Sequence, residues 1–252
     1  YLNIGQVIDE LEARPIITAL TATATENDMA EIAQCLHMQN PALYRNDLYN
    51  PKLVYIKHHA VNREEKRKLL CKYLSKYHAN SSIVYGNTRK AVEAVYKLLD
   101  KKYSGQVTMS HAGLKSITRT ANESEFLSGK KTIMVATSAF GMGIDLDSAD
   151  LVIHFNMPLS LTDYIQQSGR AGRNGQKAHA VLLYSDEDYY TNLAILHDGH
   201  PTLRGMEQLD IMKEFCDDNE HCMAQLLLEH FGQKMKKSCK HCTVCQKNRR
   251  KK

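Results

Sequence analysis

The 252-residue chain contains no tryptophan, and only five phenylalanines and five prolines. No indole is therefore available to stack on nucleobases, which leaves that role to the tyrosines and the few phenylalanines. No apolar run reaches the ~18 residues that a membrane helix needs, and no secretory leader is visible at the amino end. No G-x-x-x-x-G-K-[ST] occurs, which excludes a P-loop cradle for a triphosphate within these residues. The acidic box that would hold a magnesium ion is also missing. Asp186, Glu187 and Asp188 are acidic, but their pattern opens a helix. The first residue is Tyr1 rather than methionine, which sets the expectation of a piece of a longer protein.

Composition is otherwise that of a folded domain, with 43% hydrophobic and 24% charged residues. The net charge of +5 permits a polyanionic partner without requiring one. Seven cysteines are present, four of them crowded into the last 31 residues. An odd number without an export signal favours metal ligation over a disulfide framework.

Short apolar bursts alternate with helical patterns along most of the chain. Residues 14–22, 82–86, 107–111, 132–136, 151–155 and 180–184 read as strands. Their continuous apolar runs, rich in β-branched residues, suit strands buried on both faces. Helices are expected after Thr25, Asn62 and Thr88 as caps, over 116–127, and from about Ser160. This alternation predicts an α/β fold, a doubly wound parallel sheet with right-handed crossovers. After about His197 the pattern changes to two helices, Met206–Asp217 and Cys222–Phe231, then a cysteine-rich segment and the basic tail KNRRKK. The segment 45–52 is the best early boundary.

In such a sheet, ligands bind beyond the carboxyl ends of the strands. Four unusual loops fall there: GNTR (86–89), SHAG (110–113), ATSAFGMGID (136–145) and NMP (156–158). In the third, Phe140 and Met142 alternate with glycines, as if exposed for a purpose. A fifth segment, QQSGRAGRNG (166–175), sets two arginines three apart among glycines. Glycines let an anion approach the main chain, and two guanidinium forks can grip its oxygens. A solvated turn is the plainer alternative for each loop.

Cys239, Cys242 and Cys245 follow the C-x2-C step that wraps thiolates around one tetrahedral zinc. Cys222 is 17 residues upstream, and Cys216, His221, His230 and His241 are further candidates for a fourth ligand. A disulfide with two free thiols is the competing arrangement.

Taken together, TALTATAT (18–25), IVYGNTR, VATSAFGMGID and YIQQSGRAGR (164–173) resemble motifs III, IV, V and VI of the second RecA-like lobe of superfamily 2 helicases, and more narrowly the RecQ family of DNA helicases. The resemblance covers essentially the whole chain. It implies an ATP-dependent enzyme that translocates 3′ to 5′ and unwinds duplex DNA, with ATP and Mg2+ held mainly by a first lobe elsewhere in the same protein. It makes Arg173 the arginine finger, with Arg170 beside it, and sets Gln166, Gly143 and Asp145 at the nucleotide. It assigns Thr88, Arg89, His111 and Thr137 to single-stranded DNA. It also selects Cys222 with Cys239, Cys242 and Cys245 as a structural zinc site, since four thiolates leave no open position. Three departures stand out. Asp147 and Asp150 replace basic residues after motif V, Gly86 stands where a cysteine is common, and Met223–Ala224 replace an arginine pair. The implied organisation is a first-lobe remnant (1–45), a second helicase lobe (46–197) and a helical zinc-binding subdomain with a basic tail (198–252). A nucleoid or nuclear location follows, not a secreted one. A non-enzymatic zinc-containing nucleic-acid module and an RNA helicase are the alternatives.

Overall fold

The computed structural model describes residues 3–77, 79–141, 148–199 and 202–250. A short helix α1 (Ile4–Asp9) precedes α2 (Glu26–Cys35). Then follow β1 (Leu53–His59), α3 (Arg63–Tyr77), β2 (Ser82–Tyr85), α4 (Arg89–Lys102), β3 (Val107–Ser110), α5 (Ser116–Leu127) and β4 (Ile133–Ala136). The lobe continues with β5 (Leu151–His154), α6 (Leu161–Ser168), β6 (Ala178–Tyr184) and α7 (Asp186–Asp198). Three helices finish the chain: α8 (Leu203–Asp217), α9 (Met223–His230) and α10 (Thr243–Arg250). Among the described residues, no helix is long and apolar enough to cross a membrane.

The six strands form one sheet in the order β1-β6-β5-β2-β4-β3, and every pairing is parallel. Successive side chains of a strand point to opposite faces, and two cores follow. Leu151, Ile153, Val181, Leu183 and Val84 pack on the face covered by α3 and α4. Val152, Ala180, Leu182, Ile83 and Tyr85 pack on the other face, in a core that runs on through α6, α8 and α9 to the cysteines. The expected α/β doubly wound sheet is present, and its second face is shared with the cysteine-rich module.

The helix starts follow the local chemistry. Thr25 and Asp28 make a reciprocal capping box on α2, and the Asn62 side chain accepts from the Glu65 N–H at 2.9 Å. Ser160 caps α6 by accepting from the Asp163 N–H at 3.0 Å. Ser185 and Asp188 box the start of α7, so the acidic run 186–188 does open a helix.

Three elements differ from expectation. Residues 14–20 carry no strand, and Ile16 and Leu20 are 99% and 92% exposed. The run has strand chemistry, but a strand needs a hydrogen-bonding neighbour, and none lies beside it among the described residues. Conversely, β1 was not expected, because Lys57, His58 and His59 break its apolar run. The third difference is α10, a helix over Thr243–Arg250 where the cysteine-rich segment and basic tail carried no helical expectation.

Candidate functional site

Loops at the carboxyl ends of β2, β3 and β4 form one rim. Thr88 caps α4, its Oγ1 accepting from the Ala91 N–H at 3.1 Å, and Arg89 beside it is exposed. Thr137 is half-buried at the turn after β4, its N–H donating to the Ser110 carbonyl at 3.2 Å. His111 is only 3% exposed. Its Nδ1 accepts from the Gly113 N–H at 3.2 Å, and its Nε2 lies 3.6 Å from a Glu93 oxygen. The ring is thus a strut inside the SHAG loop rather than a surface group.

Phe140 corrects an expectation of exposure. It is 2% exposed and packs edge-on against Phe126, with ring centroids 6.0 Å apart. A glycine-rich loop beside a sheet can fold its aromatic residue back into the core, and this one does. Asp150 is also built in, accepting from the Asn80 and Ser81 N–H groups at 3.0 and 3.3 Å. Gly143, Asp145, Met142 and Asp147 lie outside the described residues.

The two arginines of the SGRAGR segment follow the carboxyl end of α6, and they sit in different surroundings. Arg170 points inward, and its Nη2 donates to the Gly141 carbonyl at 2.7 Å. Gly141 has φ +99°, and a Cβ there would collide with the guanidinium. The Tyr85 hydroxyl faces the same group. Burial pushes this phenol up to about 12, against the opposing pull of the Arg170 charge. Arg173, in contrast, is exposed. Its main-chain N–H donates to Ser148 Oγ at 3.1 Å and its Nε to the Gly169 carbonyl at 3.4 Å. One fork is anchored in the fold, and the other faces solvent, able to meet an anion.

Gln166, on the exposed side of α6, donates from Nε2 to Thr23 Oγ1 at 2.7 Å. This joins TALTATAT to YIQQSGRAGR across 143 residues of sequence. Behind α6, His154 is fully enclosed between Tyr85 and Tyr164, with ring centroids 5.6 and 4.9 Å away. Burial pushes its imidazole down to about 3, so it is neutral at physiological pH.

The sulfurs of Cys222, Cys239, Cys242 and Cys245 all lie within 4.8 Å of one another, and all four residues are buried. No disulfide joins them. Tetrahedral zinc with Zn–S near 2.3 Å places its ligands about 3.8 Å apart, and Cys239 and Cys245 Sγ are 4.0 Å apart. Main-chain N–H groups of Cys239, Cys242 and Cys245 donate to the sulfurs of Cys222, Cys239 and Cys242 at 3.3, 3.3 and 3.5 Å. Such donors favour thiolates. Hydrogen bonds from its neighbours hold Cys222 well below the usual thiol range. Cys239 is pushed up to about 11, chiefly by the Cys222 sulfur, and Cys242 further, by the sulfurs of Cys222 and Cys239. A divalent cation relieves that crowding, and the donor set fits a structural zinc ion. Of the other ligand candidates, His221 pairs with Asp218 at 2.6 Å and His230 packs edge-on against Phe231, while Cys216 and His241 are not part of the four-sulfur cluster. Met223 and Ala224 are core residues, 0% and 2% exposed.

Sequence reasoning marked Gly141 within its glycine-rich loop but did not single out Thr23 or Tyr85, which stand inside their motifs without a signal of their own.

Comparison with known proteins follows the same division. The Helicase conserved C-terminal domain matches residues 65–175, and the RecQ zinc-binding family matches residues 164–246. ATP-dependent DNA helicase RecQ of Bacillus subtilis is 31% identical over 251 residues, which span 99% of this chain and 42% of that protein. ATP-dependent DNA helicase hus2/rqh1 of Schizosaccharomyces pombe is 33% identical over 252 residues, spanning 97% of this chain and 19% of that protein. The chain thus covers less than half the length of either relative. Among solved structures, S. cerevisiae Dbp5 bound to RNA and ADP BeF3 superposes with a TM-score of 0.58 at 20% identity, over 78% of this chain and 54% of that one. That likeness shows the RecA-like fold of the lobe.

Proposed function

The chain belongs to the RecQ family of helicases, and from that premise we propose that it forms the second motor lobe and zinc-binding module of an ATP-dependent DNA helicase. The observation that carries this reading is the division of labour between Arg170 and Arg173. A phosphoryl transfer between two lobes needs a guanidinium that reaches the transferring group only when the lobes close. Arg173, exposed in the turn five residues beyond α6, suits that task. Arg170, held by the Gly141 carbonyl, ties the glycine turn to the segment that follows α6. In this reading a first lobe supplies the P-loop and the magnesium ligands. Gly143 and Asp145 would serve the nucleotide, and Gln166, bonded to Thr23, would help link it to DNA.

Single-stranded DNA is the proposed partner of the rim. Thr88 and Arg89 at the start of α4 and Thr137 after β4 would contact phosphates, with His111 shaping the loop between them. Residues 1–45, 46–197 and 198–252 would be the end of the first lobe, the second lobe and the zinc-binding subdomain. The zinc ion would act in folding, not in chemistry. A location with the DNA, in the nucleoid or nucleus, and 3′ to 5′ polarity belong to the same proposal.

Strand displacement by the longer protein on matched DNA and RNA duplexes tests it. Unwinding of DNA with a 3′ single-stranded tail is the expected result. A preference for RNA, or strand binding without ATP-dependent displacement, would overturn it. Alone, the 252-residue chain should bind single-stranded DNA weakly, with affinity falling steeply as salt rises, and should not hydrolyse ATP.

A further inference from the structure

Lys57 is a charged residue in the middle of edge strand β1, yet it is 4% exposed. An isolated buried ammonium is costly, so its partners matter. Its Nζ donates to the Phe215 carbonyl at 2.8 Å and also to the Asp218 carbonyl. Both carbonyls belong to the carboxyl end of α8, where a helix leaves its last acceptors unpaired and favours a cation. Tyr184 of the adjacent strand β6 caps the same end, donating to the Cys216 carbonyl at 2.6 Å. Four residues beyond Asp218 the chain reaches Cys222.

The main chain of Lys57 makes a second link. Its N–H, on the free edge of β1, donates to Thr243 Oγ1 at 3.0 Å. Thr243 stands between Cys242 and Cys245 and begins α10. Lys57 therefore grips the zinc module at both ends: the helix leading into the first cysteine, and the turn holding the last two. The same contact takes up an edge amide that would otherwise be open to another strand.

We propose that Lys57, with Thr243 as its acceptor, is a positioning residue of the zinc site, so that zinc retention and protection of the β1 edge are one linked property. Neither residue contributes a ligand. When Lys57 holds α8 and the 242–245 turn in place, the four sulfurs stay preassembled. When the contact is lost, the turn swings away from β1, the edge amide opens, and the metal is released faster.

The experiment uses the zinc-loaded chain and the chelating dye 4-(2-pyridylazo)resorcinol. Lys57→Met keeps the stem and removes the ammonium, and Thr243→Val keeps the shape and removes the acceptor. Both should still bind one zinc but release it to the dye roughly tenfold faster or more, the scale of a lost hydrogen bond to a charged or buried group. Thr243→Ser, which keeps the hydroxyl, should restore slow release. Amide exchange should rise at Lys57 in Lys57→Met and Thr243→Val, with β5 unchanged as a check on folding. Wild-type release rates in both variants with β5 still protected would overturn the proposal, as would a wild-type chain whose Lys57 amide stays protected after zinc removal. If Lys57→Met fails to fold, the Thr243→Val and Thr243→Ser pair decides alone.

Discussion

Arg170 Nη2 donates to the Gly141 carbonyl at 2.7 Å, and no side chain larger than hydrogen fits at Gly141 without meeting that guanidinium. The glycine turn and the arginine segment after α6 therefore hold one another in place. Gly141→Ala should destabilise the chain doubly, through strain at φ +99° and by displacing Arg170. Gly105→Ala is the control, since Gly105 has φ +78° and open space around it. In urea unfolding, Gly141→Ala should cost at least ~1 kcal/mol more than Gly105→Ala, because only the first adds a collision to the backbone strain of order 1–3 kcal/mol. Equal losses would show that Arg170 yields without cost.

Replacing any one of Cys222, Cys239, Cys242 or Cys245 by serine should lower the zinc content of purified chain below one per molecule. Structural zinc contributes folding free energy. Amide exchange should therefore rise in α9 and α10 while strands β2, β4 and β5 keep their protection. Metal analysis with exchange mass spectrometry checks both points, and full zinc content in a cysteine variant would remove that residue from the ligand set.

His154 predicts a pH dependence. Its folded pKa is depressed to about 3 from 6.5, so between those values the unfolded chain binds a proton that the folded chain does not. Stability from this group is complete above pH 6.5 and falls as the solution is acidified, by about 1.4 kcal/mol per pH unit. His179, pushed down to about 4 chiefly by burial, acts in the same direction. Neither nitrogen of His154 has a partner among the described residues, so His154→Phe should fold and show a shallower loss between pH 6.5 and 5. An unchanged slope would show that His154 takes up its proton while folded.

Much of this molecule is legible from residue order alone, because most elements carry their own start signals. The boxes at Thr25 and Ser185 and the caps at Thr88 and Ser160 sit within three residues of what they cap. The C-x2-C spacing is equally local. What is not legible depends on partners far along the chain. Lys57 is in a buried strand because α8, about 160 residues later, offers it carbonyls. Residues 14–20 lack a strand because chemistry alone does not supply a neighbour. Phe140 looked exposed because its partner, Phe126, is on α5, a separate element.

Arg204, at the start of α8, reaches α2 through Asp28 and through Glu31 at 2.5 Å. Asp28 also belongs to the Thr25 box. Exposed ion pairs contribute little, so Arg204→Ala should destabilise the chain by no more than ~1 kcal/mol. Its effect should be local, with faster amide exchange over 26–35 at low salt. The difference from wild type should shrink at 1 M salt, where the screening length is about 3 Å. A loss that ignores salt would mean that Arg204 acts through packing.

The central claim is that Arg173 completes an ATP site between two lobes. Steady-state ATP hydrolysis by the longer protein, with saturating single-stranded DNA, tests it directly. Arg173→Ala should leave ATP binding largely intact and lower DNA-stimulated turnover by orders of magnitude, since fingers of this kind contribute ~10³–10⁵ in rate. Arg173→Lys should recover little, because a point charge does not reproduce the planar fork. Near-normal turnover in Arg173→Ala would contradict the account and leave Arg173 an ordinary solvated side chain.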